Sequence, residues 1–92
     1  MIRSFKDKRA EALYRGDTVA ALQAFKAVAL RKLDMLDAAT RLADLRAPPG
    51  NRLEALKGDR EGQHSIRIND QWRLCFVWRD EGADLVEIVD YH

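Results

Sequence analysis

The hydrophobic pattern of this chain changes at Pro48-Pro49-Gly50. Before that point, apolar residues recur at steps of three and four, which is typical of a helix with one buried face. After it, apolar and polar residues alternate, as they do in strands with one face in a core. Two prolines and a glycine also stop a helix. Helices followed by antiparallel strands predict an α+β domain, in which N-terminal helices pack on one face of a sheet of four to five strands.

The same pattern predicts the individual elements. Residues 1–4 are expected to form a short strand, and Ser4 to cap a helix over about residues 5–14. A second helix is expected from about residue 17 to residue 38, with a buried stripe of Leu22, Phe25, Ala29, Leu33 and Leu36. Strands are expected near residues 52–55, 63–68, 72–78 and 84–91. Because the last strand is apolar on both faces, we expect it inside the sheet.

Composition narrows the class of protein. The chain has 92 residues, so we treat residues 1–92 as a single domain. Apolar residues make up 47% and charged residues 34% of the chain, which is the balance of a folded soluble protein. The sequence lacks an apolar run of the length of a membrane span. The single cysteine, Cys75, disfavours disulfides and favours a cytoplasmic location. One cysteine and two widely separated histidines also disfavour a structural metal site.

Charge is unevenly distributed along the chain. The net charge of +1 is a poor indication of nucleic-acid binding. Residues 1–49 carry ten basic and six acidic side chains, whereas residues 50–92 carry six and nine. An RNA site in the second half would therefore depend on locally placed arginines and lysines.

The turn at Asn69-Asp70 decides which side chains share a face of the sheet. A two-residue turn would pair Ile66 with Arg73. A three-residue loop pairs Ile66 with Leu74 and keeps the apolar residues on one face. We choose the three-residue loop, which sets Arg67 directly opposite Arg73 on the other face, and we expect that face to be open.

Two facing arginines repel each other. Either each pairs with a nearby carboxylate, such as that of Glu54 or Asp90, or both point at an anion that a ligand supplies. Phosphate suits the second alternative, because guanidinium groups donate to its oxygens in bidentate fashion. Lys57, in the adjacent loop, would then be a third cation. The residues alone leave both alternatives open.

Four blocks of the sequence resemble HigB-like toxins of the RelE superfamily, in the family's order and over nearly the whole chain. They are residues 1–8, residues 53–62, residues 65–73 and the closing Asp90-Tyr91-His92. The resemblance implies a RelE-like fold and an endoribonuclease, an mRNA interferase that acts on messages in the ribosomal A site. It also implies a HigA-type helix-turn-helix antitoxin that neutralises the toxin and represses their shared operon. Operator DNA would be bound only through that antitoxin.

The resemblance also assigns roles to residues of this chain. The family's phosphate-binding positions fall on Lys57, Arg67 and Arg73. The catalytic positions fall on Arg73 and on Asp90, Tyr91 and His92. Some HigB-like members carry histidine where this chain has Glu54, so either Glu54 supplies a carboxylate general base or the position is dispensable. We expect the closing tripeptide to share the surface of the two arginines.

The chemistry that the resemblance implies is transesterification within RNA, without a metal or cofactor. The 2′-hydroxyl attacks the neighbouring phosphorus, which gives a 2′,3′-cyclic phosphate and a 5′-hydroxyl. His92 is best matched to proton transfer at neutral pH. Asp90 would orient His92 or act as a general base. Tyr91 would stack on a nucleobase of the RNA or donate a proton. Negative charge on the phosphate would be held by Lys57, Arg67 and Arg73.

Two other classes of function compete with this one. The chain would be a non-catalytic module that binds RNA or an antitoxin in operon autoregulation, or a protein-interaction domain that reaches DNA only through its partner. The remaining candidate side chains are expected to be structural. Alternation puts His64 on the core face, and Cys75 is expected to be a small filler beside the arginines.

Overall fold

The computed structural model describes residues 1–90 and has an α+β architecture, as predicted. Two α-helices, α1 (Lys8–Tyr14) and α2 (Lys26–Ala38), precede four strands, which are β1 (Glu54–Ala55), β2 (His64–Arg67), β3 (Trp72–Arg79) and β4 (Gly82–Asp90). Short 3-10 turns span Ala20–Phe25, Leu42–Arg46, Pro49–Asn51 and Gly58–Arg60. No helix within these 90 residues is long and apolar enough to cross a membrane.

The strands form one antiparallel sheet in the order β1-β2-β3-β4. The N-terminal segment runs parallel to β4 on its far side, with isolated bridges from Ile2 to Ala83 and from Phe5 to Val86. Strand β4 is the last of the four strands, and these bridges cover only its first half, so its predicted place inside the sheet is met only in part. The strand predicted at residues 1–4 is present only as these bridges.

Both predicted helix starts need correction. Helix α1 is capped by Asp7, whose carboxylate accepts from the backbone N–H of Arg9 at 2.9 Å. Ser4 has another role: its hydroxyl donates to Asp84 at 3.2 Å and accepts from the N–H of Leu85 at 2.8 Å. The second helix is interrupted at Phe25, whose φ of −128° and ψ of 25° leave the helical region. At the residue where the helix is interrupted, the Phe25 ring packs against that of Trp72, with the ring centroids 5.2 Å apart.

The helices cover one face of the sheet, as predicted. The expected stripe is buried except at Phe25, and it packs with the sheet residues Ile66, Leu74, Phe76, Val86 and Ile88 in one core. His64 lies on this face, half-buried, with its ring 6.3 Å from that of Phe76. Its structural placement agrees with the alternation of β2.

Lys32 and Asn51 tie the connection after α2 to the core. The Asn51 amide is fully buried and donates to the carbonyls of Leu45 at 3.1 Å and Ala47 at 3.2 Å. Its carbonyl oxygen accepts a hydrogen bond from the Lys32 ammonium, and burial lowers the pKa of that lysine. These bonds fix the backbone up to Arg52, whose carbonyl belongs to the candidate site.

Candidate active site

The register of the β2–β3 hairpin is the one that the three-residue loop predicts. Ile66 lies opposite Leu74, and Arg67 lies opposite Arg73. The next pair along, Ser65 and Cys75, is flanked by Glu54 on β1 and Glu87 on β4. These residues share the sheet face that points away from the helices. We call it the arginine face, with the members Glu54, Ser65, Arg67, Arg73, Cys75 and Glu87.

The expectation that this face is open is wrong at its centre. Ser65 and Cys75 are fully buried, and Arg73 is only 8% exposed. Small side chains at the first two positions let the long charged side chains around them lie over the sheet. The centre of the arginine face is therefore inaccessible to solvent, and charged side chains surround it.

Arg73 is held from three sides. Its Nε donates to the Ser65 hydroxyl at 2.8 Å, and its Nη2 donates to the Arg52 carbonyl at 2.7 Å. Its third partner is the Glu54 carboxylate, at 3.7 Å from Nη2. The two hydrogen bonds fix the plane of the guanidinium, whereas the Glu54 side chain is 52% exposed. The geometry thus combines an immobilised cation with a solvent-accessible carboxylate.

Arg67 has a different carboxylate partner. It pairs with Asp70, three residues along in the hairpin loop, and the Asp70 side chain is 99% exposed. Each arginine therefore has a carboxylate, as the first alternative predicts, with Glu54 as one of the two that the sequence suggested. An ion pair with an exposed partner such as Asp70 contributes only about 0–1 kcal/mol, so a phosphate can compete with Asp70 for Arg67.

Asp90 lies on the opposite face from the arginines. It pairs in register with Trp72, and the Gln71 amide donates to its carboxylate at 3.0 Å. The prediction that Asp90 shares the surface of the two arginines is wrong. Asp90 lies two residues after the core residue Ile88 on β4, so both side chains are on the same face of the sheet. The other two members of the predicted tripeptide, Tyr91 and His92, lie outside the described residues.

Lys57 is exposed and directly precedes the Gly58–Arg60 turn. Its carbonyl accepts from the backbone N–H of Arg60 at 3.3 Å. This bond ties Lys57 to a second basic residue, which the sequence reasoning had left in a loop without a role.

That residue, Arg60, belongs to a charged group that was missed. The Glu87 carboxylate is 3.2 Å from Arg60 Nη1 and 3.5 Å from Lys6 Nζ, and its side chain is 15% exposed. Alternation along β4 could have revealed it, because Glu87 lies two residues before Val89, the partner of Arg73, and so shares its face of the sheet. It was overlooked because β4 was treated as apolar on both faces, and Lys6 had been assigned to a helix.

Cys75 lies between Arg73, two residues away on β3, and Glu87, which is opposite it on β4. Burial raises the pKa of its thiol to about 11. Arg60 and Arg73 act in the other direction, and Glu87 adds to the increase. The thiol is therefore protonated near neutral pH, which disfavours a nucleophilic role and fits the predicted role of a filler.

Comparison with known proteins decides the family. A family model described as the RelE-like toxin of type II toxin-antitoxin system HigB matches residues 3–92. The chain belongs to the HigB-like toxin family. Toxin HigB-1 of Vibrio cholerae is 45% identical over 94 residues, which cover 100% of this chain and 98% of the relative. Endoribonuclease HigB of Proteus vulgaris is 32% identical over 93 residues, with 100% of both chains covered.

Solved structures agree on the fold of this HigB-like chain. A chain of the YoeB–YefM complex from Staphylococcus aureus is 20% identical, with a TM-score of 0.58 and coverage of 100% of this chain and 98% of that one. A heterotetrameric YoeB–YefM toxin-antitoxin complex from the same organism gives a TM-score of 0.59. The family model and the two relatives confirm the family that the sequence resembles, and the solved structures confirm its fold.

Proposed function

We propose that this HigB-like chain is the toxin of a type II toxin-antitoxin pair and an endoribonuclease that cleaves messenger RNA in the ribosomal A site. The observation that carries the proposal is the pairing of a buried, doubly hydrogen-bonded Arg73 with the exposed carboxylate of Glu54. A ribonuclease that works by transesterification needs a fixed cation for the phosphate and a base near it. The name of the Proteus relative supports the same activity.

In the proposed mechanism Arg73 binds the scissile phosphate and stabilises the charge that develops on it. Its immobilisation is an advantage, because a preorganised donor need not reorganise during the reaction. Glu54 accepts the proton of the 2′-hydroxyl, which then attacks phosphorus. Arg67 and Lys57 add positive charge around the RNA backbone.

The closing residues complete the proposed machinery. We assign proton donation to the leaving 5′-oxygen to His92, with Tyr91 as a stacking or donating group. Asp90 is assigned a positioning role through the end of β4, since its carboxylate bonds to Gln71 on the face opposite Arg73. The reaction as proposed has no step that requires a metal.

We further propose that the partner of this chain is a HigA-type helix-turn-helix antitoxin. The chain would bind operator DNA only through that antitoxin, and it would act in the cytoplasm. The toxin-antitoxin complexes among the fold neighbours support the existence of a protein partner. The modest net charge of +1 supports the idea that the chain alone has little affinity for DNA.

The test is expression of the chain without an antitoxin, followed by growth and message integrity in translating extract. Wild type should arrest growth and cut messages. Glu54→Gln, Arg73→Lys and His92→Ala, made singly, should each lower the cleavage rate by about 10²-fold or more. Arg15→Ala is the matched control, because Arg15 sits in an exposed ion pair with Glu11 at the end of α1.

Full toxicity in the Glu54, Arg73 and His92 variants alike would overturn the site assignment. A wild-type chain that binds messages or an antitoxin but leaves messages intact would instead favour the non-catalytic module. The Arg73→Lys variant keeps the charge and removes the bidentate geometry, so it separates phosphate recognition from general electrostatics.

A further inference from the structure

The charged group at the β4 end of the arginine face has no role in the reaction described above. It consists of Arg60, Lys6 and Glu87. The carboxylate of Glu87 contacts both cations. The Arg60 side chain is 30% exposed and that of Lys6 is 58% exposed, whereas Glu87 is 15% exposed beneath them.

The group lies on the same surface as Arg73. Glu87 is directly opposite Cys75, and Cys75 is two residues from Arg73 on β3. With strands about 4.8 Å apart and a rise of about 3.4 Å per residue, the backbone of Glu87 lies roughly 8 Å from that of Arg73. The two cationic groups therefore lie over neighbouring strands of one sheet face, close enough to contact one RNA strand.

The Arg60 guanidinium is also held by neighbouring side chains. Its Nη1 donates to the Gln63 side-chain oxygen at 3.1 Å and to Glu87 at 3.2 Å. The Lys57–Arg60 backbone bond places the turn that carries it beside the proposed phosphate-binding lysine. Arg60 is thus restrained through its Nη1 nitrogen, and a larger fraction of its side chain is exposed than of the Arg73 side chain.

We propose that Arg60 and Lys6, held by Glu87, form a second phosphate subsite that binds the linkage next to the scissile one in the substrate RNA. This inference rests on the proposed ribonuclease function and adds a determinant of substrate position. The subsite fixes the neighbouring phosphate, and so it sets which linkage reaches Arg73. Cys75 has no chemical part in it and separates the two subsites.

The test combines a change in the protein with a change in the RNA. Ribosomes are programmed with synthetic messages that carry a neutral methylphosphonate at one linkage at a time, on either side of the cleaved linkage. Wild type, Arg60→Ala and Arg15→Ala then cleave each message in single-turnover reactions. Folding of each variant is checked by thermal unfolding, and Lys6→Ala provides a second probe because that side chain is largely exposed.

For wild type, one adjacent methylphosphonate should slow cleavage roughly tenfold, as expected for the loss of a charged hydrogen bond. Arg60→Ala should already be slower by a similar factor on the unmodified message. It should then be insensitive to methylphosphonate at that linkage, and Arg60→Lys should recover part of the rate. Arg15→Ala should behave as wild type on every message.

The subsite proposal is wrong if, at every linkage, the methylphosphonate slows cleavage by Arg60→Ala by the same factor as cleavage by wild type. It is also wrong if Arg60→Ala cleaves the unmodified message at the wild-type rate. Failure of wild type and Arg15→Ala to cleave the unmodified message is a different result, because it refutes the ribonuclease function itself.

Discussion

Ser65→Ala tests whether a buried hydrogen bond positions the proposed phosphate-binding arginine. Ser65 is fully buried, and its hydroxyl accepts from Arg73 Nε at 2.8 Å. The variant leaves that donor without its acceptor in a place that solvent reaches poorly, since Arg73 is 8% exposed. Loss of a buried bond to a charged group costs about 1.5–3 kcal/mol. For a domain of this size that corresponds to a fall in Tm on the order of 10 °C.

The matched control is Cys75→Ala, which removes one buried atom from the residue directly opposite Ser65. It should cost about 1 kcal/mol through packing alone and leave Arg73 in place. We expect cleavage by Ser65→Ala to fall about tenfold or more, because small errors in position are costly in catalysis. Thermal unfolding and single-turnover cleavage measure the two effects. Equal stability of both variants, with wild-type cleavage by Ser65→Ala, would refute the positioning argument.

Three further changes test other parts of the structure. Leu85 is 44% exposed and has a φ of 54° in an irregular part of β4, a left-handed conformation that costs less for glycine than for other residues. Leu85→Gly should therefore raise the free energy of unfolding by about 0.5–1 kcal/mol, whereas Leu85→Ala should not. A loss of stability in the glycine variant would contradict this. Because burial raises the pKa of the Cys75 thiol to about 11, the folded protein should resist alkylation at pH 8 and react once urea unfolds it; rapid labelling of the folded chain would show that the thiol is accessible. The backbone N–H of Ile2 lowers the pKa of Asp37, so this carboxylate stabilises the fold above its unfolded pKa and loses that effect as the pH falls. Asp37→Asn should therefore flatten the acid limb of the stability profile in urea titrations, and an unchanged limb would count against the bond.

Periodicity predicted much of the fold for a physical reason. The stripe from Leu22 to Leu36 and the alternation of β2 and β3 reflect burial, and burial is what stabilises these elements. The hairpin register followed from one requirement, that Ile66 and Leu74 share the core. The helix starts were predicted less well, because Asp7 and Phe25 respond to contacts with β4 and Trp72 that are distant in sequence.

The candidate site was predictable only in part. The register placed Arg67 and Arg73 together, and the family resemblance drew attention to Glu54. Neither showed that Arg73 is buried, because its acceptors come from β2 and from the backbone of Arg52. The ion pairs of Glu87 were also not predictable, because Lys6 is about eighty and Arg60 about thirty residues away from it in the sequence.

The central claim is that the arginine face cleaves RNA by attack of the 2′-hydroxyl. The most direct measurement is a map of the ends produced from one reporter message by purified protein, with intact ribosomes and without them. We expect cuts within the A-site codon that leave a 2′,3′-cyclic phosphate and a 5′-hydroxyl, that appear with ribosomes, and that Arg73→Lys reduces by about 10²-fold or more. An intact message in the presence of ribosomes, or ends that carry a 5′-phosphate, would contradict this claim.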